Sequence, residues 1–441
     1  MERTAHTPPG LPVVGSLPRL ARDPLRFLTG MQDAYANQYP LVRVDPQVGQ
    51  SVTVVLDPDI AHEVLADRDR FRRPNVGAQE QRRQGLVSSD GALWEQQRSV
   101  LDPEFVGGRL ADYAEIAGDT LEETLTAWPE SGRVDLFEEL SILTMRVITR
   151  SLFSQDTDRE RGETVHEALA ALNDEFDASV FDLVLPEQLQ SGVSAEFEEA
   201  DAVLDSVATE FVDWHLNHED PPRDVITALI DAKADPDIEL SENELIDQTV
   251  LFMTGGQETT ALTIAYAFYW LSQNPAAKER VRAEAQDVLD GGQPGWADLS
   301  DLTYTERVVR ETLRLTPAVW SVSREAREPV TLAGTDLDAG EFVMLPIYAH
   351  HRDSRVWSDP LTFDPDRWAG SASRGDSAYY PFGSGPRVCI GRQVALTEAQ
   401  FALAHVLQHY DVQVTADELD LQPSVTLRPS GPMEAEISAI E

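Results

Sequence analysis

Apolar residues recur at helical spacing from about residue 90 to residue 318, and again over about 390–410. Period-two alternation is confined to short pieces nearer the two ends. Leu41-Val42-Arg43-Val44 and Ser51 to Leu56 read as an N-terminal hairpin. Glu341 to Pro346 and alternating stretches between Val412 and Ser438 read as later strands. Loops are expected at Arg72–Ser89, His218–Arg223, Asp290–Gly295 and Gly370–Ser377. None has the composition of a flexible linker, and no internal repeat is visible. The pattern predicts one domain over residues 1–441, mainly α, with a small β-rich portion near 41–56, 341–346 and 412–438.

One predicted helix is unusually long. Ser241-Glu242-Asn243-Glu244 is a capping-box pattern, and no proline follows until Asn274-Pro275. At about 1.5 Å per residue such a helix is roughly 45 Å long and crosses the whole molecule. Its middle, Thr254-Gly255-Gly256-Gln257-Glu258-Thr259-Thr260, is poor helix material. Each glycine costs about 1 kcal/mol relative to alanine. The plain reading is a packing notch. The functional reading is a widened groove where a small ligand reaches the backbone and Glu258 and Thr259 handle protons.

Composition adds an extreme. The net charge is −42, from 35 Lys+Arg against 77 Asp+Glu, and Lys233 and Lys278 are the two lysines. Many acids favour solubility in any setting. A bias this large, nearly without lysine, is best explained by life in concentrated salt, where screening lengths fall to about 3 Å at 1 M. The surface argues against nucleic acid and anionic lipid as partners. Met1 to Arg22 is polar and proline-punctuated, unlike a secretory signal. Leu251–Leu271 is apolar but interrupted by Gly255, Gly256, Gln257 and Glu258, which speaks for a buried helix over a membrane span. A soluble, cytoplasmic, monomeric protein without a membrane anchor is the expectation.

Cys389 is the single cysteine of 441 residues. It sits in Phe382-Gly383-Ser384-Gly385-Pro386-Arg387-Val388-Cys389-Ile390-Gly391, just before a predicted helix. An isolated cysteine is ordinarily a small buried hydrophobe. Here the glycines permit an open turn close to a ligand. Arg387 and the helix-start N–H groups favour a thiolate. A thiolate so held suits an axial ligand of haem iron.

Phe-x-x-Gly-x-Arg-x-Cys-x-Gly resembles the haem-binding loop of the cytochrome P450 family, matched by Phe382, Gly385, Arg387, Cys389 and Gly391. The glycine-rich part of the long helix resembles that family's oxygen-binding motif, with Gly255, Glu258 and Thr259 in register. Glu311-Thr312-Leu313-Arg314 and Phe363-Asp364-Pro365-Asp366-Arg367-Trp368 are similar to its Glu-x-x-Arg and proline–arginine segments. The resemblance implies a structural network of Glu311, Arg314 and Arg367 behind the cysteine loop. It also implies that Trp94, Arg98, Arg324 and Arg387 contact the propionates of a haem b (iron protoporphyrin IX), with Cys389 as the iron's axial ligand. Four motifs, at Trp94, Glu258, Glu311 and Cys389, occur in the family's order along nearly the whole chain.

The resemblance therefore implies the P450 fold, with a long central helix crossing over the haem. It also implies a monooxygenase that inserts one atom of O2 into an apolar substrate. Glu258 and Thr259 would deliver protons. No reductase or ferredoxin segment is visible, so electrons would come from a separate ferredoxin-type donor with its reductase. Arg109 and Arg392 are candidates for that docking face. Pocket candidates are Asn75–Leu86, Phe176–Phe211, Phe252, Ala318, Val319 and Trp320. A peroxide-driven peroxygenase or lipid-peroxide isomerase on the same fold is the nearest alternative. A non-catalytic haem sensor or electron carrier is the alternative of another class. The pairs His405/His409, His215/His218 and His350/His351 read as helix-surface histidines. His405/His409 has the i, i+4 spacing zinc favours but lacks the Glu of a His-Glu-x-x-His site.

Overall fold

A computed structural model describes residues 6–9, 17–45, 51–74, 83–179, 194–235, 238, 240–370 and 377–440. Most of the expected Asn75–Leu86 pocket loop and much of the Phe176–Phe211 stretch lie outside these residues. So does most of the Gly370–Ser377 loop.

The long helix forms over Glu242–Gln273, 32 residues. Its start is the reciprocal cap: Glu244 N–H donates to Ser241 Oγ at 3.2 Å, and Ser241 N–H donates to Glu244 Oε2 at 2.6 Å. Pro275 opens the next helix, Pro275–Leu289, because it lacks the N–H needed to continue the first. From Ala261 to Phe268 every side chain is buried, the signature of a helix running through a core rather than along one. Among the described residues no helix is long and apolar enough to cross a membrane.

Helix Leu136–Leu152 lies against this central helix and explains one of its two glycines. A Cβ on Gly256 would meet Ile148 Cδ1 at 2.8 Å, too close for any real side chain. Thr144 Oγ1 donates to the Gln257 carbonyl at 3.0 Å, and the Gln257 amide donates to the Ser141 carbonyl at 3.1 Å. Gly256 is thus the packing notch. Gly255, one residue earlier, meets nothing within 4 Å and is exposed in mid-helix.

The expected hairpin is present as antiparallel Leu41–Val44 and Val52–Val55. It belongs to a five-stranded sheet whose remaining strands are Phe342–Leu345, Val322–Ala326 and Phe71–Arg72, in that order. Val52–Val55 pairs parallel with Phe342–Leu345 and is buried at every position, as a strand covered on both faces must be. A three-stranded sheet joins Tyr410–Val414 and Glu434–Ala439 to Ser131–Asp135. Ser131–Asp135 lies inside the stretch expected to be helical. Its Ser-Gly-Arg sequence carries no strand signal, and a partner about 300 residues away decides its state.

Histidine placement departs from expectation. His215, His350, His351 and His405 are buried, and only His218 is exposed. His215 is held by Asp224 at 2.8 Å, and His350 by Tyr380 and the Val55 carbonyl. A neutral imidazole with both nitrogens partnered is tolerated in a core, and burial pushes His350 down to about 4.

Candidate active site

Two backbone features shape the cysteine loop. Gly385 has φ +70° and its hypothetical Cβ would lie 2.6 Å from the Leu65 carbonyl oxygen, so only glycine fits. Cys389 N–H donates to the Phe382 carbonyl at 3.0 Å, closing the loop on itself before helix Arg392–His409 begins. His62 fixes the outer side, reaching Ser384 Oγ at 2.7 Å and the Ser377 carbonyl at 2.8 Å. Arg98 fixes the inner side by donating to the Val388 carbonyl at 3.0 Å.

Behind the loop stands a buried ionic group. Arg314 makes a bidentate pair with Glu311, at 2.9 and 2.8 Å, and Arg367 Nε donates to the same carboxylate at 3.3 Å. Trp368 Nε1 and Asp364 N–H complete its shell, each at 3.0 Å. Arg314 also donates to the His351 carbonyl. His351 Nε2 accepts from Tyr380 N–H, and the Tyr380 carbonyl accepts from Gly383 N–H. A continuous hydrogen-bond path therefore runs from Glu311 to the cysteine loop.

Cys389 itself is accessible to solvent, yet burial pushes its thiol up. The Gly391 N–H, Arg98 and Arg392 oppose the burial and favour the thiolate. Arg387 does not act in this way, contrary to the sequence expectation. It donates to Asp90 at 2.8 Å and to the Ser89 carbonyl at 2.9 Å, and lies 4.6 Å from the Trp94 ring centroid. Arg68 also lies against Trp94, at 4.7 Å. Arg98, besides holding Val388, pairs with Asp102.

Arg324 is the informative cation. Among the described residues it forms no ion pair, and its hydrogen bond goes to the neighbouring Ser323 carbonyl at 2.8 Å. Burial pushes it down to about 10, with Arg387 and Arg73 pushing the same way and Asp90 opposing. Asp90 is already shared by Arg327 and Arg387. Among the described residues, Arg324 and Arg387 share the single carboxylate of Asp90 with Arg327, an arrangement that an anionic ligand would complete. A haem with its propionates fits this deficit, and the accessible Cys389 sulfur fits its iron.

The two proposed proton carriers part company. Thr259 is half-exposed, and its hydroxyl donates to the Gly255 carbonyl at 2.7 Å, next to the open backbone. Glu258 is buried on another side of the helix. Its carboxylate lies 2.6 Å from Arg428 Nε and accepts from Thr426 Oγ1 at 2.8 Å and Asn173 Nδ2 at 3.2 Å. No sequence signal pointed to Asn173, Thr426 or Arg428, since they lie far away in the chain.

The pocket candidates fare unevenly. Phe252 stacks on Phe105 with centroids 5.4 Å apart, inside the main core. Trp320 donates to the Ser424 carbonyl at 2.7 Å and packs in the N-terminal cluster. Ala318 is buried and its carbonyl accepts from Leu427 N–H at 2.8 Å. Val319 alone of the four is partly accessible. Resemblance proposed all four as lining, and three of them are buried by these contacts. Arg109 likewise is held by Glu104 at 2.7 Å and by the Arg223 carbonyl, whereas Arg392 is exposed.

A family model described as Cytochrome P450 matches residues 6–435. Cyclooctatin synthase of Streptomyces melanosporofaciens is 32% identical, over 97% of this chain and 94% of its own length. Cyclooctat-9-en-7-ol 5-monooxygenase of the same organism is 29% identical over 92% of this chain and 89% of its own. Pentalenene oxygenase of Streptomyces avermitilis is 28% identical over 95% and 93%.

Proposed function

The chain belongs to the cytochrome P450 family, and from that premise we propose a haem b monooxygenase acting on an apolar, terpene-like hydrocarbon or its alcohol. One observation carries the reading: an accessible but desolvated Cys389, together with the acid-poor Arg324 and the open Gly255–Thr259 backbone. The names of the bacterial relatives, a cyclooctatenol monooxygenase and a pentalenene oxygenase, support the substrate class. Cys389 would hold the iron as a thiolate, with Gly391 N–H, Arg98 and Arg392 sustaining its charge. Arg324, Arg387, Arg98 and Trp94 would receive the propionates. The bound haem would supply the activation of O2.

Within this reading Thr259 is the proton-handling group beside the site. Its hydroxyl can leave the Gly255 carbonyl and donate to a ligand in the groove by rotation about χ1. Glu258 must first leave Arg428 and Thr426 to take part, so it acts as a gated proton relay. Electrons come from a separate ferredoxin-type donor, with exposed Arg392 as the remaining candidate at its docking face. The chain works as a cytoplasmic protein in concentrated salt, where its −42 charge is screened. Equal melting temperatures in dilute and molar potassium chloride would refute that last point.

The reading is tested by the carbon monoxide difference spectrum of the reduced protein. The wild type is expected to give the red-shifted band of thiolate ligation, and Cys389→His to lose it while retaining haem. Absence of the band in the wild type overturns the proposal. With ferredoxin and reductase supplied, terpene alcohols should shift the haem absorption and yield oxygenated product. Thr259→Ala should divert electrons to peroxide, whereas unchanged coupling would remove its role.

A further inference from the structure

At the far end of helix Arg392–His409 from the cysteine, two histidines meet an acid from another helix. His405 and His409 stand at i and i+4 and so share one helix face. Glu122, on helix Gly108–Thr126, closes the group: its Oε2 lies 2.9 Å from His405 Nε2. One ligand atom from each residue can be chosen so that all three lie within 4.8 Å of one another. The two imidazole rings sit 4.9 Å apart, centroid to centroid, at 79° to each other. Two imidazoles bound to one ion at about 2.0–2.1 Å per nitrogen need just such closely set, non-parallel rings.

The hydrogen bonds of this group leave one ring nitrogen of His405 open. If His405 Nε2 carries the hydrogen shared with Glu122, then Nδ1 is a bare lone pair. That atom is fully buried and makes no well-aligned hydrogen bond, with the Gly292 carbonyl the acceptor nearby. A metal on Nε2, like a second proton on the ring, puts the hydrogen on Nδ1. The Gly292 carbonyl lies beside the ring and can accept it. Metal-bound histidines commonly donate their second ring N–H to such a backbone carbonyl. His409 Nε2 faces the Gln408 amide nitrogen at 3.0 Å. The same Gln408 amide donates to Gly292 O at 3.1 Å and its oxygen accepts from Gly291 N–H at 3.1 Å, so the surrounding loop is tied to the histidine pair.

We propose that Glu122, His405 and His409 form a binding site for a divalent transition-metal ion, with zinc as the best fit, clasping helix Gly108–Thr126 to helix Arg392–His409. Two imidazoles and one carboxylate suit zinc and discriminate against magnesium and calcium, which prefer all-oxygen sites. Glu122 is half-exposed, so water can complete the coordination. The strongly negative chain raises the local concentration of cations, and the imidazoles make this site different from the many carboxylates around it. The clasp would act on stability rather than on chemistry, since it grips the end of the helix opposite the cysteine loop.

The test uses the haem-loaded protein, stripped with a chelator and kept in molar potassium chloride with excess magnesium. Zinc uptake is measured by equilibrium dialysis against zinc chloride, and melting temperature is recorded in parallel. The expected result is one saturable zinc per chain and a melting temperature that rises with zinc. His409→Ala and Glu122→Gln, both at solvent-reachable positions, should each weaken uptake roughly tenfold or more and abolish the rise. An unaltered haem spectrum in both variants shows that they fold. Two results overturn the proposal. No saturable uptake by the wild type leaves a hydrogen-bonded triad only. Uptake unchanged in the Glu122→Gln/His409→Ala double variant assigns the zinc to surface carboxylates.

Discussion

Glu311 and Glu398 are both fully buried, yet they live in opposite surroundings. Glu311 accepts from two arginines, a tryptophan and a backbone N–H. Glu398 accepts from one hydroxyl, Tyr113 at 2.7 Å, and its Oε1 has no partner. Burial pushes Glu398 up to about 8, and the Tyr113 hydrogen bond only partly offsets it. The same residue type is thus a charged hub behind the cysteine loop and a neutral acid within helix Arg392–His409. Burial alone does not fix the charge state of a carboxyl; the number of donors around it does.

Breaking the Glu311 hub should have the largest effect. Glu311→Gln leaves Arg314 buried without its counter-charge, at a cost of about 3–5 kcal/mol. Denaturant unfolding should register that loss, and haem content should fall because the path to Gly383 is cut. Full haem occupancy with wild-type stability would mean that the hub is not what holds the loop.

Glu398→Gln should do the reverse, within a defined pH window. The native carboxyl holds its proton up to about pH 8, while the unfolded chain releases it near 4.5. Between those values the folded state binds more protons, so wild-type stability falls as pH rises. Glutamine removes this slope, so the variant should gain on the wild type steadily from pH 4.5 to 8 and no further. The gain has an upper bound of about 1.4 kcal/mol per pH unit. Parallel unfolding curves at about pH 5, 6.5 and 8 span that window, and a pH-independent difference would contradict a neutral Glu398.

Glu258 lies between the two extremes and should give the smallest change. Its contact with Arg428 is close, at 2.6 Å, but the Nε–H is not aimed along it. Arg428→Gln is expected to cost about 1–3 kcal/mol and to leave haem bound. If Glu258 is a gated proton relay, the variant should also change the fraction of electrons that reach product. Coupling identical to wild type would assign Glu258 to holding helices together and nothing more.

Local patterns were enough for much of the fold. The capping box at Ser241, Pro275 and the unbroken helical period between them determine the central helix, because each acts through neighbours in sequence. The loop around Cys389 was legible for the same reason: its glycines and the following helix start are local. The Glu311, Arg314 and Arg367 group was legible only through resemblance, and the structure brings the three together across segments about 50 residues apart.

What the sequence could not assign was direction. Gly255 and Gly256 are identical in composition, and only the approach of Ile148 makes one a packing notch and the other an opening. Glu258 and Thr259 are adjacent, but the helix turns one toward Arg428 and leaves the other half-exposed beside Gly255. Phe252 and Trp320 are both buried, and what each packs against comes from elsewhere in the chain. Four buried histidines read as surface residues because a helix's hidden face depends on what packs against it. Secondary structure and loop geometry are fixed by interactions a few residues long, so the chain alone determines them. Burial, charge state and the side of a helix that meets the ligand depend on partners tens to hundreds of residues away, and only the tertiary structure decides those.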